Sequence, residues 1–240
     1  MNSVVWHEVE CGAYTADLAL WEEMADQTDK PIMELGCGAG RVTLHLAHRG
    51  AYLVIGLDWD PDLVAAVWER SGKIPGDAEL ADVRSFEFAT KFSLVIAPMQ
   101  VIQLLPTSND RIECLSCVID NMLPGGRAAF AIVEELPYLP PGSAAPPLPD
   151  VRQIEGWIYS SLPLEPIVGP ETVLLRRLRQ TVDPDGNMSE EMNEIELTIL
   201  SAETLEEEGR SVGLIPAGRR EIPSTEAHVG STVVLFEKEA

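Results

Sequence analysis

The chain has 240 residues, 45% of them hydrophobic and 23% charged. This is ordinary globular composition, enough for one α/β domain with a small addition, and it argues against disorder. The formal net charge of -22 repels phosphate backbones and anionic bilayers, so neither nucleic acid nor a membrane is expected as a partner; neutral or cationic small molecules fit better.

The opening MNSVVWHEVECGAY lacks the basic segment and apolar stretch of a secretory signal, and no apolar run approaches a membrane span. A cytoplasmic protein with reduced thiols is expected. Cys114 and Cys117 form a lone C-x-x-C. Structural zinc needs four ligands, so no metal is expected, and the pair reads as core thiols on a helix.

In chain order, residues 14–27 carry Leu18, Trp21 and Met24 at helical spacing until Lys30-Pro31 breaks the pattern. Residues 31–35 form a short apolar run ending in a glycine cluster. Residues 39–49 read as a helix on Val42, Leu44, Leu46 and Ala47. Tyr52 to Leu57 reads as a strand stopped by Asp58. Pro61 to Arg70 reads as a helix with proline in its first turn. Phe92 to Ala97 is strand-like. Asn109 to Leu123 reads as a helix capped by Ser108 or Asn109 and ended by Pro124-Gly125-Gly126. Arg127 to Val133 is a further strand. This alternation predicts right-handed βαβ units on a parallel sheet.

From Pro137 the chain is proline-dense and reads as a linker. Gln153 to Ser161, Val173 to Val182 and Met192 to Leu200 then read as antiparallel strands, the last two joined by a turn at 183–187. Ser201 is expected to cap a helix that Gly213 ends. Arg219 to Pro223 and Thr232 to Glu237 suggest a final strand pair. Three blocks result: a core over 1–136, an insertion over 137–200 serving as lid or dimer element, and 201–240 completing the core.

Glu34-Leu35-Gly36-Cys37-Gly38-Ala39-Gly40 lies between a predicted strand and a predicted helix. Glycines there permit positive φ and a close ligand approach, and the helix start presents unpaired N–H groups. The spacing is G-x-G-x-G, an imperfect fit to the dinucleotide fingerprint. With GLDWDPDL following at 56–63, the chain resembles the class I S-adenosylmethionine-dependent methyltransferases of small-molecule type. The resemblance covers residues 14–135 and extends over the last third by topology. It implies a Rossmann-like, seven-stranded, mostly parallel sheet with helices on both faces, plus a small antiparallel β insertion before the last helix. It also implies S-adenosyl-L-methionine as cofactor.

The resemblance assigns residues as well. Asp58 ends the second strand, where a carboxylate can accept from both ribose hydroxyls. Trp59 would pack on adenine. In the loop Ala81-Asp82-Val83-Arg84, Asp82 would accept from the exocyclic amine and the Val83 N–H would meet a ring nitrogen. Ala97, Met99 and Gln100 occupy the fourth-strand tip beside the methyl donor. Leu123-Pro124-Gly125-Gly126-Arg127 matches the turn into the fifth strand. Glu34 would contact the methionine portion or order the loop, Gly36 and Gly38 would line that portion, and Tyr14 would cover the cofactor. Cys37, Gly40 and Arg41 complete the cofactor set, Arg41 reading equally as a solvated helix residue.

A sulfonium carries its own leaving group, so the protein mainly positions the acceptor, and no catalytic side chain is required. Candidates are His7, Gln100, Glu134 and His228. Gln100 and Gln103 read equally as solvated residues, and Glu134 and Glu135 as surface carboxylates. His45 and His48 are expected to face solvent or neighbouring helices. Trp157 and Tyr159 would put an aromatic face on the insertion. The Asn/Asp-Pro-Pro-aromatic signature of nucleic-acid base methylation is absent, with Ala97-Pro98-Met99 in its place. The expected reaction is in-line methyl transfer to oxygen or nitrogen of a small-molecule acceptor, by a possible homodimer. The competing readings are a nicotinamide-dependent oxidoreductase and a cofactor-binding protein without turnover.

Overall fold

The computed structural model describes residues 3–28, 31–50, 53–74, 76–134, 148–225 and 228–240. Two short helices, α1 (Ser3–Glu10) and α2 (Leu18–Ala25), precede an alternating run. That run is β1 (Ile32–Leu35), α3 (Arg41–Gly50), β2 (Val54–Asp58), α4 (Pro61–Ser71), β3 (Gly76–Leu80), β4 (Phe92–Ala97), α5 (Ser108–Asn121) and β5 (Met122–Ile132). The insertion supplies β6 (Asp150–Ile154), β7 (Trp157–Pro163), β8 (Ile167–Val168), β9 (Thr172–Val182) and β10 (Met188–Thr198). The chain closes with α6 (Ala202–Ser211), β11 (Ile215–Ile222) and β12 (Ser231–Glu237).

The main sheet runs β11-β12-β5-β4-β1-β2-β3. Neighbours among β1 to β5 pair in parallel, and β12 is antiparallel to both of its neighbours. All four residues of β1 are buried, as expected of a parallel strand covered on both faces. One face packs Met33, Leu35 and Phe130 against α5 and α6 through Leu115, Val118 and Leu205. The other packs Ile32, Ile96 and Ala129 against α2 and α3 through Trp21, Met24 and Leu46. The Rossmann-like architecture with a separate antiparallel sheet is therefore the observed one.

Several local expectations are corrected. Thr107, not Ser108 or Asn109, caps α5: its Oγ1 accepts from the Asp110 N–H at 3.1 Å. Ser108 instead bonds Glu208, and Asn109 bonds Glu113. Pro124-Gly125-Gly126 does not precede β5 but lies inside it, where the register with β4 shifts. Gln153 to Ser161 is not one strand. Glu155 (φ 51°) and Gly156 (φ 85°) turn it into the β6–β7 hairpin, a two-residue turn with positive φ at both positions. β10 begins at Met188, four residues before the expected start. α1 and β3 were not foreseen from the sequence. β3 (GDAEL) is an edge strand of poor β-formers, and α1 is stabilised by packing on α4, β6 and β7. Tyr52 and the linker residues 135–147 lie outside the described residues.

The insertion forms a second sheet in the order β10-β9-β7-β6, with β8 on β9. The cross-strand register sorts its side chains. One face carries Tyr159, Ser161, Arg177 and Arg179 toward α1. Tyr159 meets Trp6 edge-on at 5.5 Å, and Arg179 grips Glu10 through Nε and Nη2 at 2.7 and 2.8 Å. The opposite face carries Val151, Ile158, Met188 and Met192, each 41–61% exposed.

Candidate active site

β1 ends at Leu35, and the chain bends through Gly36 (φ 62°), Gly38 (φ 55°) and Gly40 (φ 87°) into α3. These left-handed positions are cheap only for glycine. The bend is fixed from the next strand. Asp58 Oδ2 accepts from the Gly38 N–H at 2.9 Å, and Oδ1 accepts from the Asp60 N–H at 3.0 Å. The helix α4 is capped by Asp60, which leaves Asp58 to the bend. Cys37 is buried behind the bend. A β-carbon on Gly56 would lie 2.6 Å from its Sγ, so Gly56 makes room for this thiol.

Glu34 is 2% exposed and accepts from Thr43 Oγ1 at 2.5 Å. Burial pushes its carboxyl up to about 8, with Thr43 and Arg41 pulling the other way. The folded protein thus keeps this proton where an unfolded glutamate, ordinarily near 4.5, has lost it. The native state binds more protons across that window, so this group's contribution to stability falls as pH rises from 4.5 to about 8. Glu34→Gln removes the titration. Its melting temperature relative to the unaltered protein should rise from about pH 5 to about pH 9 in a thermal-unfolding series; a constant difference would contradict this.

Arg41 directly follows the bend. Its Nη1 and Nη2 each lie 2.7 Å from an oxygen of Asp17, and Nη1 also donates to the Tyr14 carbonyl at 3.0 Å. It is no solvated helix residue. Tyr14, 7% exposed, has the Arg41 guanidinium 5.1 Å from its ring centroid and the His228 ring at 4.6 Å. His7, on α1, lies against the bend: a β-carbon on Gly38 would come 2.0 Å from its Nε2. Burial lowers its pKa, with Asp58 opposing. His7 Nδ1 accepts a long contact from the Ala39 N–H of the bend, 3.5 Å.

The remaining expected residues lie along the same edge of the sheet. Trp59 is 78% exposed beside Asp58 and is not core. The Ala81 N–H bonds the Asp58 carbonyl at 3.0 Å, which ties the 81–84 loop to the end of β2. Arg84 holds the Asp82 carboxyl below its usual range, and Val83 is half-buried. Ala97 is buried at the end of β4. Met99 follows with φ 57°, and Gln100 leads into a 3₁₀ turn, Val101–Leu104. Ligands in such sheets sit at the carboxyl ends of the strands, and β3, β2, β1 and β4 are adjacent there.

Two candidates have other partners. Gln103 is 2% exposed rather than solvated. Its Nε2 donates to the Val133 and Thr198 carbonyls, and its Oε1 accepts from the Val133 N–H. It thereby joins β5 to the insertion. Glu134 accepts from the Ala202 N–H at 2.8 Å, satisfying the start of α6. Glu135 lies outside the described residues. His45 contacts Glu22 of α2, His48 the Leu44 carbonyl. Cys114 is buried, but Cys117 is only half-buried, its Sγ facing the Arg84 carbonyl. Asp17 and Thr43 were missed. Neither belongs to the glycine motif, and Asp17 reads as an ordinary helix cap.

Residues 32–126 match a family model described as a methyltransferase domain. The fold is similar to that of the sugar N-methyltransferase KedS8 from Streptoalloteichus, at TM-score 0.73 and 14% identity, covering 98% of this chain and 91% of that one. It is similar to CalS10, an amino pentose methyltransferase from Micromonospora echinaspora, at TM-score 0.71 and 18% identity, over 98% and 96%. It is also similar to the CcbJ methyltransferase from Streptomyces caelestis, at TM-score 0.71 and 15% identity, over 100% and 97%. No curated protein matches the chain by sequence. Residues 32–126 thus match a methyltransferase domain, and the chain as a whole shares the fold of these methyltransferase structures.

Proposed function

We propose that the carboxyl edge of the sheet holds S-adenosylmethionine and that the protein transfers its methyl group to nitrogen or oxygen of a small-molecule acceptor. The observation that carries this is the junction of Gly38 with Asp58 at 2.9 Å. One carboxylate both orders the glycine bend and keeps lone pairs for a diol. In this reading Tyr14, Glu34, Gly36, Cys37, Gly38, Gly40 and Arg41 build the methionine end of the site. Asp58 takes the ribose, Trp59, Asp82 and Val83 the adenine, and Ala97 and Met99 flank the reacting end. The cofactor supplies an activated methyl on a sulfonium. The chain binds, orients and desolvates.

An amine acceptor fits best. The net charge of -22 attracts cations, and two of the similar structures are described as sugar N- and amino pentose methyltransferases. Attack on the methyl requires the neutral form of the amine, so an acceptor drawn in as a cation gives up a proton to solvent before transfer. The test is release of S-adenosylhomocysteine in the presence of a panel of amino- and hydroxyl-bearing small molecules. Binding without release from any acceptor would make this a binding protein, and binding of NADH instead would make it an oxidoreductase.

A cytoplasmic homodimer completes the reading. Among the described residues no helix is long and apolar enough to cross a membrane. β9 and β10 run 11 residues each, β7 seven and β6 five, so the exposed face of the second sheet spans about 550 Å² at the usual strand spacings. A standard interface buries about 800 Å² per partner. Met192, 51% exposed, lies on this face. Met192→Glu is expected to yield monomers in sedimentation where the unaltered protein is dimeric; a monomeric unaltered protein would contradict the dimer.

A further inference from the structure

Asp17 occupies the N-cap of α2, yet its side chain makes no cap hydrogen bond. An aspartate there ordinarily stabilises its own helix by about 1 kcal/mol. This carboxylate is spent elsewhere. It is fully buried, takes both terminal nitrogens of Arg41 at 2.7 Å, and accepts from Trp21 Nε1 at 2.9 Å. Arg41 in turn has Nη1 on the Tyr14 carbonyl and its guanidinium beside the Tyr14 ring. His228, from the loop between β11 and β12, meets the same ring. Two distant segments thus converge on one tyrosine, and Asp17 holds one of them in place. The Tyr14 hydroxyl makes no hydrogen bond among the described residues, so the phenol oxygen is available while the rest of the residue is held.

We propose that Asp17 and Arg41 are a positioning pair for Tyr14: they fix its backbone and ring at the ligand edge, and cofactor affinity depends on them although neither touches the cofactor. This deepens the methyltransferase reading of the same site and rests on it. It also changes the part Arg41 plays, from ligand contact to support. The buried fork suits arginine and not lysine, because lysine offers a point charge without two parallel donors.

The test is a double-mutant cycle on S-adenosylhomocysteine affinity, read by calorimetry on folded protein. Arg41→Lys and Tyr14→Phe are each expected to weaken binding by about tenfold, and the double variant no more than the weaker single, because both act through one phenol. Asp17→Asn should reproduce Arg41→Lys. Losses that multiply in the double variant would overturn the inference. So would Arg41→Lys with a lowered melting temperature and unchanged affinity, since that is a purely structural role. If Asp17→Asn fails to fold, the Arg41→Lys and Tyr14→Phe cycle decides alone. Absence of binding by the unaltered protein would overturn the reading of the site itself, and this inference with it.

Discussion

Asp58→Ala is expected to weaken S-adenosylhomocysteine binding by about 10²- to 10³-fold. Hydrogen bonds to a charged group are worth about 1.5–3 kcal/mol each, and a donor left without its acceptor in a buried site costs about as much again. Asp58 is 7% exposed and serves the Gly38 and Asp60 N–H groups. The variant therefore loses the acceptor for a ribose diol and loosens the glycine bend together. Asp58→Asn keeps one acceptor oxygen and should fall between the two. Calorimetric titration of folded variants checks the order; a loss below about threefold for alanine would remove Asp58 from the site.

Gly38→Ala is expected to be the most damaging change of one methyl group. A φ of 55° costs a non-glycine residue about 1–2 kcal/mol. The new β-carbon would also stand 2.0 Å from His7 Nε2, and α1 is anchored by Glu8 to Arg70 and by Glu10 to Arg179. The ring must therefore shift out of its seat. Binding should fall by about two orders of magnitude with a lowered melting temperature. The two effects separate in Gly38→Ala/His7→Ala: relief of the collision recovers part of the stability, while the strained bend and the added methyl keep binding low. Full recovery of binding would mean that His7, and not the bend, set the affinity.

The contrast between these two residues shows what is legible in a sequence. The glycine cluster and the aspartate at the end of β2 announce themselves because backbone conformation and strand ends leave compositional marks. Their contact across 20 positions follows from parallel pairing of β1 with β2. His7 could be named only as a distant candidate. Nothing in VVWHEVE places α1 over the bend, since that position comes from Trp6 against Tyr159 and Arg179 against Glu10, contacts separated by more than 150 residues. Asp17 hides for another reason: the local rule assigns it to a cap, and a tertiary partner took it. Gln103 is similar, an exposed-looking glutamine whose amide is saturated by β5 and β10. The β6–β7 turn was lost because Glu-Gly is a poorer hairpin signal than Asn-Gly. The Pro124-Gly125-Gly126 turn was displaced because a strand can carry such an irregularity when its neighbour shifts register.

The most direct measurement is calorimetric titration of the unaltered, folded protein with S-adenosylhomocysteine, with NADH titrated in parallel. One site per chain, with a dissociation constant on the order of micromolar and no heat from NADH, is the predicted result. A flat titration with both the demethylated product and S-adenosylmethionine would contradict the claim that Gly38 and Asp58 together hold an adenosyl sulfonium.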